Sequence, residues 1–167
     1  MPSGCLLSIL SLLGIGSKRG NRPAADATYA AKHYLFSRAE ASFYGVLRAA
    51  VGSEYLIFAK IRLADLIYVP GKQANRQSAF NRIQAKHVDF ILCHADGVRP
   101  CLAIELNDAS HDAPHRAARD EFVARVLAQS GLPLLQIKAA RTYHVNDIKL
   151  QIASHAKSAS STWRTPN

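Results

Sequence analysis

Cysteine is scarce in this sequence, with only Cys5, Cys93 and Cys101 among 167 residues. Their spacings match no metal-binding motif and no disulfide framework, and a low count suits a reducing compartment. The glycine-rich loops of nucleotide-binding proteins, the His-Glu-x-x-His pair of zinc proteases and the nucleophile elbow of serine hydrolases are also missing. Any chemistry must therefore come from other side chains.

Acidic residues are few as well, with 12 Asp and Glu against 21 Lys and Arg, a formal net charge of +9. A basic balance of this size favours polyanionic partners, either nucleic acid or an anionic membrane surface. A generically basic protein with no such partner is the alternative. The hydrophobic content of 49% excludes a disordered chain, and the length fits one domain with a real core.

No apolar run is long enough to cross a bilayer, which needs about 20 residues. The most apolar stretch covers residues 5–15 and is followed by Lys18, Arg19 and Arg22. It lacks the basic start and cleavage site of a signal peptide. An interfacial anchor, a degenerate membrane anchor and a helix docked on the protein's own core all fit. We expect a cytoplasmic protein, with attachment to the inner face of the membrane left open.

The composition divides the chain into three parts. Residues 1–31 form the apolar segment and a linker, residues 32–157 the folded domain, and residues 158–167 a Ser- and Thr-rich flexible tail. The oligomeric state is not evident from the sequence.

Two apolar runs of strand length, 86–93 and 101–108, flank a turn signal at Asp96-Gly97. A hairpin centred on Gly97 places Asp89 opposite Glu105, with Asn107 on the same face. Carboxylates about 5 Å apart repel each other unless a cation lies between them, and a magnesium-type ion prefers such oxygen ligands. The alternative is a pair of solvated charges. The same register would place Cys93 opposite Cys101.

The other segments predict an α/β protein. Ser37 and Glu40 form a capping box for a helix that ends near Val51. Its capping role is enough to explain Glu40, although the carboxylate could also turn toward a metal. The remaining predicted elements are a strand over 55–67, a basic loop over 70–87, a helix capped by Asp112 and ending near Ser130, a buried strand over 132–137, and a last helix capped by Asn146 or Asp147.

Basic side chains concentrate on three of these segments, and we expect them to hold a phosphate backbone. Solvated surface charge is the alternative for each. Phe80 is the only aromatic residue of the basic loop, so the loop alone gives no base-stacking surface. The candidates for nucleic-acid binding are Lys60, Arg62, Lys72, Arg76, Arg82, Arg116 and Arg119.

Several blocks resemble the bacterial family called domain of unknown function 2726, within the PD-(D/E)XK or restriction-endonuclease-like superfamily. The blocks are 58–65, 86–90, 103–111, Arg119-Asp120 and 131–135. The series Glu-x-Asn, Ser-His, Arg-Asp and Gly-Leu-Pro is also similar to the very-short-patch-repair endonuclease branch. The resemblance covers about residues 37–137. It implies an αβββαβ core with a mixed four-stranded sheet flanked by helices, and a phosphodiesterase that depends on Mg²⁺ or Mn²⁺.

The resemblance also implies roles for individual residues. Glu40 matches the acid of the first helix, Asp89 the central aspartate, Glu105 the first acid of the third-strand motif, and His111 the histidine that follows. The superfamily's lysine two residues after the glutamate is absent, and Asn107 stands there. Asparagine can bind a metal through its carbonyl oxygen but cannot act as a base.

We therefore expect a nuclease in which Asp89 and Glu105 hold the metal, with Asn107 and Glu40 as further ligands. His111 or Lys86 would orient or deprotonate the water, and Lys60 is another replacement for the missing lysine. The expected partner is nucleic acid, DNA in the first place. Two rival hypotheses are a non-catalytic nucleic-acid-binding module, which could be tethered to a membrane, and a scaffold protein.

Overall fold

The computed structural model describes residues 28–71, 74–107 and 113–159, with the side chains of 118–156 described in the last range. The chain forms two compact units, Met1–His33 and Tyr34–Asn167. Of the first unit, residues 28–33 are described and form neither helix nor strand. The apolar stretch 5–15 lies outside the described residues. Within the described part, no helix has the length and apolar character that crossing a membrane requires.

The second unit alternates helices and strands. The helices are α1 (Arg38–Val51), α2 (Leu63–Leu66), α3 (Arg76–Gln84), α4 (Ala113–Ser130) and α5 (Val145–Ala159). The strands are β1 (Tyr55–Arg62), β2 (His87–His94), β3 (Arg99–Asn107) and β4 (Leu134–Lys138).

The four strands form one mixed sheet in the order β1-β2-β3-β4. β1, β2 and β3 pair antiparallel, whereas β3 and β4 pair parallel. A parallel pair needs a crossover connection, and α4 provides it. With α1 before the sheet, the order αβββαβ and the mixed sheet flanked by helices are as predicted.

Apolar side chains cover both faces of the sheet. On one face, Phe43 and Leu47 of α1 pack with Phe90 and Ile104 of the central strands, and α5 adds Ile148. The second face has its own cluster, which includes Leu63, Ile83, Val88, Ile91, Ala103, Val123 and Leu127. The central strands β2 and β3 are thus buried on both faces, which explains their nearly continuous apolar sequence.

The predicted capping box of α1 is present. The Ser37 hydroxyl accepts a hydrogen bond from the Glu40 amide, and the Glu40 carboxylate accepts one from the Ser37 amide. Two of the free amides at the helix start are satisfied in this way. The box fixes Glu40 at the third position of α1, with one carboxylate oxygen left for another partner.

Three predicted element boundaries are wrong. The strand predicted over 55–67 ends at Arg62, and residues 63–66 form α2. Much of the basic segment predicted as a loop is helical, as α3. The last helix begins at Val145, so Asn146 and Asp147 lie in its first turn instead of capping it. Leu63 in α2, Ile83 in α3 and Ile148 in α5 are all buried, so tertiary packing contributes to each of these elements.

The central hairpin turns at Gly97 with a φ of 70°, as the Asp-Gly pair predicts. Val98 follows at a φ of 53°, and the register shifts by one residue between Leu92 and Cys93. Cys93 therefore pairs with Pro100, and the prediction that it faces Cys101 is wrong. Phe90 still pairs with Ile104 beyond the shift, which makes Asp89 and Glu105 neighbours in the same register.

Candidate functional site

Charged side chains from four elements meet at one end of the sheet. They are Glu40 near the start of α1, Lys60 near the end of β1, Asp89 near the start of β2, and Glu105 near the end of β3. The antiparallel pairing brings the end of β1, the start of β2 and the end of β3 to the same end of the sheet.

Lys60 bridges two of the acids. Its ammonium group donates to Glu40 and, at 3.0 Å, to Asp89. Burial opposes the charge of Lys60, but the hydrogen bonds to Glu40 and Asp89 raise its pKa above the ordinary value. Burial likewise opposes ionisation of Glu40, but the bonds from Lys60 and the Ser37 amide lower its pKa. Both groups are therefore charged at neutral pH.

An unusual backbone conformation turns Lys60 into this position. Strand alternation groups Lys60 with Leu56 and Phe58, which are exposed, whereas Lys60 is half-buried. Its φ is 55°, and the β1–β2 pairing passes from Ala59 to Ile61 without it. Positive φ is strained for a residue with a Cβ, and such strain is concentrated at functional sites.

Asp89 on β2 is hydrogen-bonded to both neighbouring strands. It is 8% exposed, and besides Lys60 it accepts a hydrogen bond from the Leu106 amide at 3.0 Å. The two donors, the Lys60 ammonium and the Leu106 amide, orient this carboxylate.

Glu105 lies beside Asp89 on the neighbouring strand and forms no ion pair with a described residue. Burial raises the pKa of Glu105 to about 8, and the neighbouring Asp89 charge adds to the effect. Its Oε1 atom is buried and has no hydrogen-bond partner among the described residues. The raised pKa favours the protonated form of Glu105 at neutral pH. A buried polar atom with no partner calls for an explanation, and a metal ion bound at this oxygen is one.

Three more residues contribute to the site. His87 and Asp120 were not predicted as site residues, and Arg119 was predicted for another role. Burial lowers the pKa of His87, and the charges of Lys60 and Arg119 add to that shift, so the imidazole is neutral. The positive charge of Arg119 lowers the pKa of Glu105, and the negative charge of Asp120 raises it. Strand period could have identified His87, because it precedes Asp89 by two residues. Arg119 was expected only to hold phosphate.

Other predicted site residues lie elsewhere or outside the described part of the chain. Asn107 follows Glu105 by two residues on β3, and its neighbour on β4 is Lys138. The half-buried Lys86 makes no hydrogen bond or ion pair to the site acids within the described residues.

The residues predicted to bind nucleic acid are dispersed. Arg62 pairs with Asp65 on the surface. Arg76 and Arg82 lie on α3. Lys72, His111 and the Arg116 side chain are outside the described residues.

The three predicted acidic metal ligands, Glu40, Asp89 and Glu105, are not grouped around one empty metal position. The part of the chain that the structure describes contains no group of three or more His, Cys, Asp or Glu side chains able to hold a metal together. Glu40 is directed to Lys60 instead. Asp89 and Glu105 remain as a pair of carboxylates with one unsatisfied oxygen. This pair fits Mg²⁺, which is often bound by one or two carboxylates and completes its shell with water and phosphate oxygens.

The family assignment rests on a match that covers most of the chain. The model of the family described as "Protein of unknown function (DUF2726)" matches residues 32–156. The chain belongs to the DUF2726 family. No curated protein and no solved structure gives a significant match. The DUF2726 region contains α1, the sheet and every acid of the site, from Glu40 to Asp120.

Proposed function

We propose that this DUF2726 member is a metal-dependent phosphodiesterase that cleaves nucleic acid with Asp89 and Glu105 as metal ligands. The observation that carries the proposal is the buried Glu105 oxygen without a partner beside the fixed carboxylate of Asp89. Two neighbouring carboxylates repel each other when both are charged, so a divalent cation between them would stabilise the pair. The likeness of the element order to the PD-(D/E)XK superfamily supports the same reaction.

A divalent cation in this position would lower the pKa of a water molecule and stabilise charge on the scissile phosphate. Lys60 stands beside Asp89, where its ammonium can donate to the attacking water or to a phosphate oxygen. Lys60 would thus take the role of the superfamily's motif lysine, since Asn107 occupies the position of that lysine on β3. Arg119 supplies positive charge for the phosphate, and the neutral imidazole of His87 can accept a proton.

The test is cleavage of labelled single- and double-stranded DNA and RNA with Mg²⁺, Mn²⁺ or EDTA. We expect metal-dependent cleavage that Asp89→Asn and Glu105→Gln each reduce by at least about 100-fold, since loss of one group that stabilises transition-state charge costs this much. Asp96→Asn is the control, because Asp96 is an exposed acid paired with Arg99 at the hairpin turn. Cleavage that survives both site variants would refute the assignment.

A second candidate function is nucleic-acid binding without cleavage. Asn107 in place of the motif lysine favours it, because an amide can neither act as a base nor carry positive charge. Asn107→Lys separates the two hypotheses. An attenuated nuclease should cleave faster when the lysine is restored, whereas a pure binding module should remain inactive and bind in a salt-sensitive way.

A further inference from the structure

A cavity separate from the acidic site lies on the α3–α4 side of the sheet. It is a cavity of about 700 Å³ formed by α3, α4 and residues 66–70. Volumes of this size are typical of sites for small ligands. Its apolar lining includes Val69, Ile83 and Val126, and Tyr68 also lines it with 66% of its surface exposed.

Two arginines give this cavity its charge. The guanidinium of Arg82 lies 4.5 Å from the centre of the Phe122 ring, and that of Arg125 lies 5.7 Å from it. Stacking on one ring holds both cations at the cavity. The described residues that line the cavity include no carboxylate. Glu121 approaches Arg125 at 3.7 Å, but both side chains are exposed, so the pair is weak.

Aromatic and apolar surface next to two guanidinium groups matches the chemistry of one nucleotide. A base can stack on an aromatic ring or a guanidinium plane, and the phosphate beside it can pair with arginine. A base inside a duplex is stacked and paired, so it cannot enter a cavity without being flipped out. The cavity thus favours a strand with unpaired bases. An anionic membrane would meet the charges but would leave a concave aromatic pocket unused.

The cavity lies near the proposed catalytic residues. Arg119 on α4 is close enough to Glu105 and His87 for its charge to lower the pKa of both. Phe122 and Arg125 follow it by three and six residues on the same helix. At about 1.5 Å per residue, these positions lie within about 10 Å of Arg119 along the helix axis. On the other wall, Ile83 precedes His87 by four residues.

We propose that this cavity binds an unstacked nucleotide of a single-stranded nucleic acid, so that the substrate is single-stranded at this point. This inference rests on the proposed function only in treating the bound strand as a substrate. The binding event itself does not depend on cleavage. Tyr68 contributes the stacking surface, and Arg82 and Arg125 hold the phosphate.

The experiment measures binding of the full chain by fluorescence anisotropy in EDTA, where no metal-dependent cleavage can occur. The probes are labelled oligodeoxythymidylate, oligouridylate and a DNA duplex of equal length. We expect at least one single strand to bind more tightly than the duplex. Tyr68→Ala should weaken that binding about fivefold or more, in line with the loss of one stacked base. Arg82→Ala should lower the salt slope of single-strand binding by about 0.7.

The matched controls are Tyr34→Ala and Arg48→Ala. Tyr34 is also an exposed tyrosine, and Arg48 also stacks on an aromatic ring, that of Tyr44, but on α1. Neither control should change the affinity as much as its counterpart at the cavity. All four side chains are exposed, so the variants should keep the unfolding midpoint of the wild type.

Three results would overturn the inference. The first is equal affinity for the duplex and the single strands, and the second is an unchanged affinity in Tyr68→Ala and Arg82→Ala. The third is competition by polyglutamate as strong as that by a single strand of equal charge, which would indicate a general anion site. Single-strand binding at the cavity without cleavage under any metal condition would leave this inference standing and refute the proposed nuclease activity alone.

Discussion

Lys60 is the residue on which the site depends most. Its left-handed backbone turns an ammonium group from the exposed side of an edge strand into contact with two carboxylates. A residue with a Cβ in this conformation costs about 1–2 kcal/mol, and glycine avoids most of that cost.

We therefore expect Lys60→Gly to be more stable than Lys60→Ala by about 1 kcal/mol, because both lose the ammonium and only alanine keeps the strain. Urea denaturation of the two variants measures the difference. The usual order in a strand is the reverse, since glycine there is destabilising. Alanine more stable than glycine would therefore mean that position 60 adopts ordinary strand geometry in solution.

Glu105 makes a second prediction at this scale, about pH. Burial and Asp89 raise its pKa from 4.5 to about 8 in the folded protein. Between these two values the folded state holds a proton that the unfolded state has released. The free energy of unfolding must then fall as pH rises from about 5 to 8, by a few kcal/mol at about 1.4 kcal/mol per pKa unit.

Glu105→Gln should remove most of this dependence, because glutamine cannot release a proton. Denaturant titrations at pH 5, 6.5 and 8 provide the measurement. The control is Glu121→Gln, since Glu121 is an exposed acid on α4. A variant at position 105 with the same pH slope as the wild type would mean that Glu105 is ionised at neutral pH.

The sequence predicts the acids of the site better than their partners. The turn signal at Gly97 predicted the pairing of Asp89 with Glu105, but that pairing also depends on the one-residue shift between Leu92 and Cys93, which the sequence did not predict. The contact between Lys60 and Asp89 depends on a left-handed residue that no glycine or asparagine marks. The position of Arg119 depends on how α4 crosses the sheet, which is a tertiary property.

At the scale of the element, the start of α1 combines two functions in one side chain. Glu40 accepts from the Ser37 amide with one oxygen and from Lys60 with the other. The first contact caps the helix, and the second belongs to the charged site.

Two substitutions should separate these functions. Ser37→Ala removes a capping oxygen and should lower stability by about 1 kcal/mol while leaving cleavage unchanged. Glu40→Gln retains a capping-box residue, so it should affect stability less, but it removes a negative charge beside Lys60 and should slow cleavage. Urea denaturation and initial cleavage rates on the same preparations measure both effects. If Glu40→Gln instead leaves the rate unchanged, Glu40 has a capping role alone.

Element prediction succeeded where local signals and burial agree. α1 has a capping box and a buried stripe of Phe43 and Leu47, and its bounds were predicted closely. α3 has a polar sequence in which Ile83 is the only buried residue, so periodicity gave no helix signal. The arginine of α3 that matters for the cavity, Arg82, meets the aromatic ring of Phe122 on a distant element. A base-stacking surface could therefore not be found by searching the basic segment alone.

At the scale of the whole molecule, the αβββαβ order could be predicted because strong apolar runs and helix-ending signals such as Gly131 and Pro133 punctuate the chain. The order of strands in the sheet follows from short connections between β2 and β3 and from the crossover through α4. Length and charge alone could not locate the acids at one end of the sheet, because that requires the register of three strands.

The whole domain should also respond to a cation at this end of the sheet. Asp89 and Glu105 lie on the two central strands, and both faces of these strands are buried in the core. The two carboxylates are therefore neighbours only in the folded state. A ligand that binds only this state stabilises it, and Mg²⁺ at ten times its Kd should add about 1.4 kcal/mol. Thermal unfolding at pH 8 with Mg²⁺ or EDTA measures the shift. Asp89→Asn should abolish it and Asp96→Asn should not. Equal shifts in both variants would locate the cation elsewhere on the protein and leave Glu105 Oε1 without its proposed partner.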